Sequence, residues 1–182
     1  HPEMGCVTFR DAGDARVAVP PALPGRGCAG VGEGGAVARG LLHRCGLPKL
    51  KTLPATLCKG QPRAQLLGHL LALSLRGNSI FTLPPARDEC FGCLRQLERL
   101  DLAENYLETL PPSIGALPRL QRLDVSENKL TALPYELGAG CCAASLRSLL
   151  LFKNELSLLP ASLGRLTQLA RLDVNNNRLI RL

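Results

Sequence analysis

The sequence has no tryptophan, two tyrosines and four phenylalanines among its 182 residues. That excludes a core centred on large rings, and it excludes a nucleic-acid surface built on stacking platforms, which needs aromatic faces in series. No stretch approaches the roughly 18 apolar residues that a membrane-spanning helix requires. Histidine is scarce: His1, His43 and His69 stand far apart, and no Ser–His–Asp, HExxH or P-loop pattern accompanies them. Acidic residues are the minority, 15 Asp+Glu against 22 Lys+Arg, for a formal net charge of +7. Most of the excess falls in residues 1–66, at a density below that of a polybasic lipid- or phosphate-binding cluster.

A glycine-rich match is also discounted. Gly25-Arg26-Gly27-Cys28-Ala29-Gly30 fits GxGxxG, but a phosphate loop needs a strand before it and a helix after it. Here Pro20-Pro21-Ala22-Leu23-Pro24 precedes and Val31-Gly32-Glu33-Gly34-Gly35 follows, so neither context is met. No catalytic or cofactor-binding constellation emerges, and the chain is expected to be neither an enzyme nor a cofactor carrier.

Leucine is what the sequence does have. There are 39, of which 31 lie in 67–182. The composition breaks near residue 66. Segment 1–40 is rich in Gly, Ala, Pro and Arg without a period, and is expected to be irregular and disordered. From residue 67 onward the chain repeats itself around Asn78, Asn105, Asn128, Asn154 and Asn177, at separations of 27, 23, 26 and 23. Two apolar residues precede each asparagine at fixed offsets: Leu73 and Leu75, Leu100 and Leu102, Leu123 and Val125, Leu149 and Leu151, Leu172 and Val174. Ile80, Leu107, Leu130, Leu156 and Leu179 follow, then Leu83, Leu110, Leu133, Leu159 and Leu182, with Pro84, Pro111, Pro134 and Pro160 after the first four.

The pattern LxxLxLxxNxLxxLP resembles the leucine-rich repeat, and it covers residues 67–182 as five repeats, the last incomplete. Residues 41–66 read as a degenerate, cap-like copy. Leu50-Lys51-Thr52-Leu53-Pro54 fits the end of a repeat, with His43 and Cys45 at the strand positions. The chain opens on His1 with no leader-like segment and closes inside its fifth repeat, as a fragment or processed product would.

The pattern has a physical logic. Alternating apolar residues give a short strand with one buried face, and one such strand cannot bury that face alone. Stacked copies bury it together. The fold expected is therefore an α/β leucine-rich repeat solenoid: a curved parallel sheet on the concave face, with short helices, 3₁₀ turns and loops on the convex face. Each asparagine is expected to turn inward, where its amide satisfies backbone groups of neighbouring turns.

The segments LPPSIGALPRL (110–120) and LPASLGRLTQL (159–169) look like the intracellular, Ras-interacting class found in Ras suppressor and scribble-like proteins. That resemblance implies a non-catalytic scaffold or adaptor in the cytoplasm. It implies a protein partner such as a small GTPase or a signalling complex, and no nucleic acid. Two other readings stay open: the recognition module of a larger kinase, GTPase or ubiquitin ligase, and a secreted receptor ectodomain.

Residues between the core leucines point to the concave surface. One column holds Ala72, Arg99, Arg122, Ser148 and Arg171, and the next holds Ser74, Asp101, Asp124, Leu150 and Asp173. Arg99, Asp101, Arg122 and Asp124 are expected to form a charged lattice of alternating sign. In the fourth repeat Leu150 and Phe152 interrupt it. Two exposed apolar groups rimmed by Arg122, Asp124, Arg171 and Asp173 resemble a binding hot spot.

The eight cysteines are scattered rather than clustered in flanking caps, and no Asn-x-Ser/Thr sequon is present. Both features favour a reducing compartment. Cys90, Cys93, Cys141 and Cys142 fall in two convex insertions about 10 Å apart along the stack. A zinc site sharing them is conceivable, but their spacing matches no familiar finger and they read as ordinary loop cysteines. Dithiothreitol is therefore expected to leave the melting temperature unchanged. A native disulfide would contribute about 2–4 kcal/mol, so a clear drop in a thermal melt would return the protein to the secreted class.

Overall fold

The computed structural model describes the backbone of residues 39–41 and, in full, residues 70–83, 91 and 94–180. Six three-residue strands form one parallel sheet in chain order: β1 (Arg39–Leu41), β2 (Ala72–Ser74), β3 (Arg99–Asp101), β4 (Arg122–Asp124), β5 (Ser148–Leu150) and β6 (Arg171–Asp173). The register places Leu73, Leu100, Leu123, Leu149 and Leu172 side by side, as the repeat alignment requires. The exception is the cap. β1 pairs Gly40 with Leu73, three residues before His43, the position that the degenerate copy had implied. The remainder of 1–66 lies outside the described residues.

The leucines form one continuous core. Leu73, Leu75, Ile80, Leu100, Leu102, Leu107, Leu123, Val125, Leu130, Leu149, Leu151 and Leu156 are all buried. Each such side chain contributes about 1.5–3 kcal/mol of burial. The stack loosens at the last turn, where Leu172 is 44% exposed and Val174 and Leu179 are half-buried, because β6 is the final strand of the sheet.

The asparagines tie one turn to the next. Asn128 Nδ2 donates to Leu102 O of the preceding turn (3.0 Å) and to Val125 O of its own (3.0 Å), while its Oδ1 accepts from Leu107 N (3.0 Å). Asn105, Asn154 and Asn177 do the same with Leu75, Val125 and Leu151 as cross-turn acceptors. The residue before each asparagine is left-handed: Gly77 (φ 70°), Glu104 (55°), Glu127 (55°), Lys153 (53°) and Asn176 (55°). For the non-glycine residues this costs on the order of 1 kcal/mol each. It also aims the N–H at the next turn: Glu104 N donates to Ser126 O (3.0 Å) and Glu127 N to Phe152 O (2.9 Å).

The convex side holds 3₁₀ turns at Pro112–Ala116 and Ala161–Arg165, the first with proline at its opening position and the second preceded by Pro160 as its N-cap. The extra residues of the third repeat form a one-turn α-helix, Glu136–Ala139, followed by a 3₁₀ turn, Cys141–Ala144. These elements pack backbone to backbone. A Cβ on Gly115 would strike Glu136 O, and one on Gly138 would strike Ser162 O, whereas Gly164, their equivalent one turn later, faces open space.

Gly138→Ala is therefore expected to destabilise the chain by about 1–3 kcal/mol, because two backbones must part. Gly164→Ala should be neutral, or stabilising by up to about 1 kcal/mol through the unfolded chain. Equal effects in urea denaturation would refute this account of the convex packing.

Candidate functional site: the concave surface

The sheet sets the candidate residues in two registered columns. Arg99 lies beside Arg122, Arg122 beside Ser148, and Ser148 beside Arg171. Asp101 lies beside Asp124, Asp124 beside Leu150, and Leu150 beside Asp173. The columns are those read from the sequence, but the electrostatics differ. One ion pair links them among the described residues, Arg122 to Asp124 at 3.6 Å. The aspartates instead cap their own backbone two residues on, forming Asx turns. Asp101 Oδ1 accepts from Ala103 N (3.1 Å), Asp124 Oδ1 from Ser126 N (3.2 Å) and Oγ (2.6 Å), and Asp173 Oδ1 from Asn175 N (3.2 Å) and Nδ2 (2.8 Å). Asp101 Oδ2 also accepts from Ser74 Oγ at 3.3 Å. The expected lattice of alternating signs is thus replaced by a row of turn-forming carboxylates beneath a row of exposed guanidinium groups.

Leu150 also departs from expectation. It is 5% exposed rather than open to solvent, and Asp124 beside it is equally buried. Side chains on the inner face of a curved sheet converge, and Leu150 is flanked on both sides by the neighbouring strands. Phe152 is half-buried and keeps part of its ring accessible. Leucine at position 150 also removes the carboxylate that caps the chain in the second, third and fifth repeats.

Other features of this surface went unread in the sequence. Arg76 pairs with Glu104 at 2.6 Å, and Lys153 pairs with Glu127 at 3.0 Å, each joining adjacent turns. At the side of the sheet, exposed Phe81 stacks on Tyr106 with centroids 5.4 Å apart and planes at 17°, and Lys129 Nζ lies 5.4 Å from the Tyr106 centroid. Tyr106 and Lys129 both directly follow a repeat asparagine, so aligning that position would have shown them as neighbours.

The cysteine group does not assemble as one site among the described residues. Cys90 and Cys93 lie outside them. Cys142 points into the core and donates to Leu137 O at 3.2 Å, while Cys141 is exposed. No group of three or more potential metal ligands gathers among the described residues, and none of their helices is long and apolar enough to cross a membrane. The three histidines and the GxGxxG match also lie outside them.

Comparison with known proteins agrees with this architecture. Residues 68–130 and 95–155 match the model of the leucine rich repeat family. Solved structures similar to the chain include Toll in the Drosophila Toll–Spätzle complex (29% identity, TM-score 0.60, 71% of this chain and 17% of that one). A leucine-rich repeat protein of Leptospira interrogans is also similar (32%, TM-score 0.52, 71% and 35%). An internalin of Listeria monocytogenes shares the fold (24%, TM-score 0.51, 66% and 32%). The chain thus spans about a third or less of the length of these proteins. No curated protein matches it. The fold is a leucine-rich repeat solenoid, and the chain is a leucine-rich repeat protein, of a class whose domains generally mediate protein–protein interaction.

Burial pushes the Cys142 thiol up to about 11. The fold favours its neutral form, so this contribution to stability is complete below the ordinary thiol range and is lost as pH rises through that value. Iodoacetamide at mildly alkaline pH is expected to alkylate Cys141 in the native protein and spare Cys142. Equal labelling of both by peptide mass spectrometry would contradict the buried placement.

Proposed function

We propose that the chain is a non-catalytic adaptor that binds a protein partner through its concave sheet, with Phe152 at the centre of contact. The observation that carries this reading is the break in the fourth repeat. There Ser148, Leu150 and Phe152 stand where neighbouring turns carry arginine, aspartate and a small or polar residue. A partly exposed ring two residues beyond a buried leucine, with Arg122, Asp124, Arg171 and Asp173 on the neighbouring strands, has the composition of an interface anchor with a polar rim. The Toll chain, solved in its complex with Spätzle, is an instance of a similar fold engaged with a partner.

The finer assignment is to the Ras suppressor and scribble-like class, acting in the cytoplasm in small-GTPase-linked signalling. It draws support from the two LPxxIG/LPxxLG segments and from cysteines free of the clustering of secreted caps.

The test is to identify a co-purifying partner and measure its affinity for purified variants. Phe152→Ala is expected to weaken binding by on the order of 2 kcal/mol. Stability should stay within about 1 kcal/mol, because the ring is only half-buried. The convex control Tyr135→Ala should change neither. If Tyr135→Ala abolishes binding and Phe152→Ala does not, the convex face is the interface.

A further inference from the structure

The polar groups of the concave sheet divide into those the fold has already used and those it has not. Asp101, Asp124 and Asp173 are held in turns. Arg76 and Lys153 are neutralised by Glu104 and Glu127. The side chains of Arg99 and Arg171 make no ion pair or hydrogen bond among the described residues. Arg122 reaches Asp124 only at 3.6 Å, with its own side chain 52% exposed. The surface therefore offers unused donors and few unused acceptors. The donors are also ordered: Arg99 and Arg122 occupy directly paired positions on β3 and β4, about 5 Å apart, and Arg171 lies two strands beyond Arg122, about 10 Å away across Ser148. Like charges placed directly opposite one another on a sheet oppose folding, and a carboxylate seated between Arg99 and Arg122 relieves that repulsion.

We propose that this arginine row takes an acidic, extended peptide segment of the partner, laid across the strands. One carboxylate lies between Arg99 and Arg122, and a second lies on Arg171. At about 3.3 Å per residue, the acidic positions of the peptide are three to four residues apart. The proposal rests on the concave face being the binding face and adds the chemistry of what binds there. A nucleic acid fits less well. Its phosphates recur at every nucleotide rather than at the spacing of the arginines, and Phe152 is the one aromatic ring of the concave columns, too few for base stacking.

The experiment is fluorescence anisotropy on the full 182-residue chain with a labelled Gly/Ser peptide carrying two glutamates about four residues apart. Matched peptides carry glutamine or lysine in their place, and polyuridylate is the nucleic-acid probe. The glutamate peptide is expected to bind, to weaken as salt rises, and to lose about tenfold or more in affinity with Arg99→Gln/Arg122→Gln/Arg171→Gln. That variant's fold is checked by circular dichroism. Arg99→Glu/Arg122→Glu/Arg171→Glu should instead bind the lysine peptide, a charge-swap rescue that misfolding cannot produce. Equal binding of the glutamine peptide, preference of the native chain for lysine, or no binding at all overturns the acidic-peptide inference while leaving the Phe152 interface standing. Stronger, arginine-dependent binding of polyuridylate assigns the row to nucleic acid instead. Glutamate-peptide binding that survives both triple variants overturns the inference by placing the acid site elsewhere, and if Tyr135→Ala removes it, the concave reading falls as well.

Discussion

The backbone of one turn cannot satisfy itself, and the rest of the molecule depends on how that is solved. Three-residue strands leave most of each repeat outside the sheet, with carbonyls and N–H groups turned toward a leucine core that offers them nothing. An unpaired buried group costs about 1–3 kcal/mol, so a stack of such turns is stable only if polar side chains enter the core and meet those groups. The asparagine amides do this. Those of Asn105, Asn128, Asn154 and Asn177 each span two turns, donating to carbonyls of both and accepting from an N–H of the preceding one. Their geometry requires a sharp reversal just before the asparagine, and the chain accepts left-handed glutamate and lysine there to obtain it.

What is left for function follows from what this scaffold consumes. The carboxylates of the second concave column hold the turn that leads into the left-handed residue, which makes them part of the frame. The glutamates at the left-handed positions meet basic residues of adjacent turns. Arg99 and Arg171 of the first column have no such duty among the described residues, Arg122 reaches Asp124 only at 3.6 Å, and the fourth turn dispenses with the carboxylate altogether. The row proposed for recognition and the row that holds the turns thus occupy adjacent columns of the same short strands, two residues apart.

The convex side obeys a different constraint. There the turns approach through backbone, and glycine is present because no side chain fits between Gly115 and Glu136 or between Gly138 and Ser162. The three additional residues of the third repeat are accommodated as helical turn, without disturbing the spacing of the sheet.

Period, core and inward asparagines were legible in the sequence, because each depends on offsets within one repeat, and a chemical pattern recurring five times at nearly constant spacing admits one physical solution. The columns of the concave face were legible for the same reason. The strand that pairs with β2 was not, since β1 aligns Gly40 with Leu73, three residues before the position the degenerate copy implies. Nor was the state of the side chains within the columns. Whether Asp124 pairs with an arginine or closes a turn, whether Leu150 is open or buried, and whether Cys142 faces a neighbouring loop or the core all depend on groups drawn together by the curvature of the stack. The sequence by itself determined which residues share a face. Only the tertiary structure decided which of them are already occupied, because hydrogen-bond partners and burial are properties of adjacent turns that the linear pattern places more than twenty residues apart.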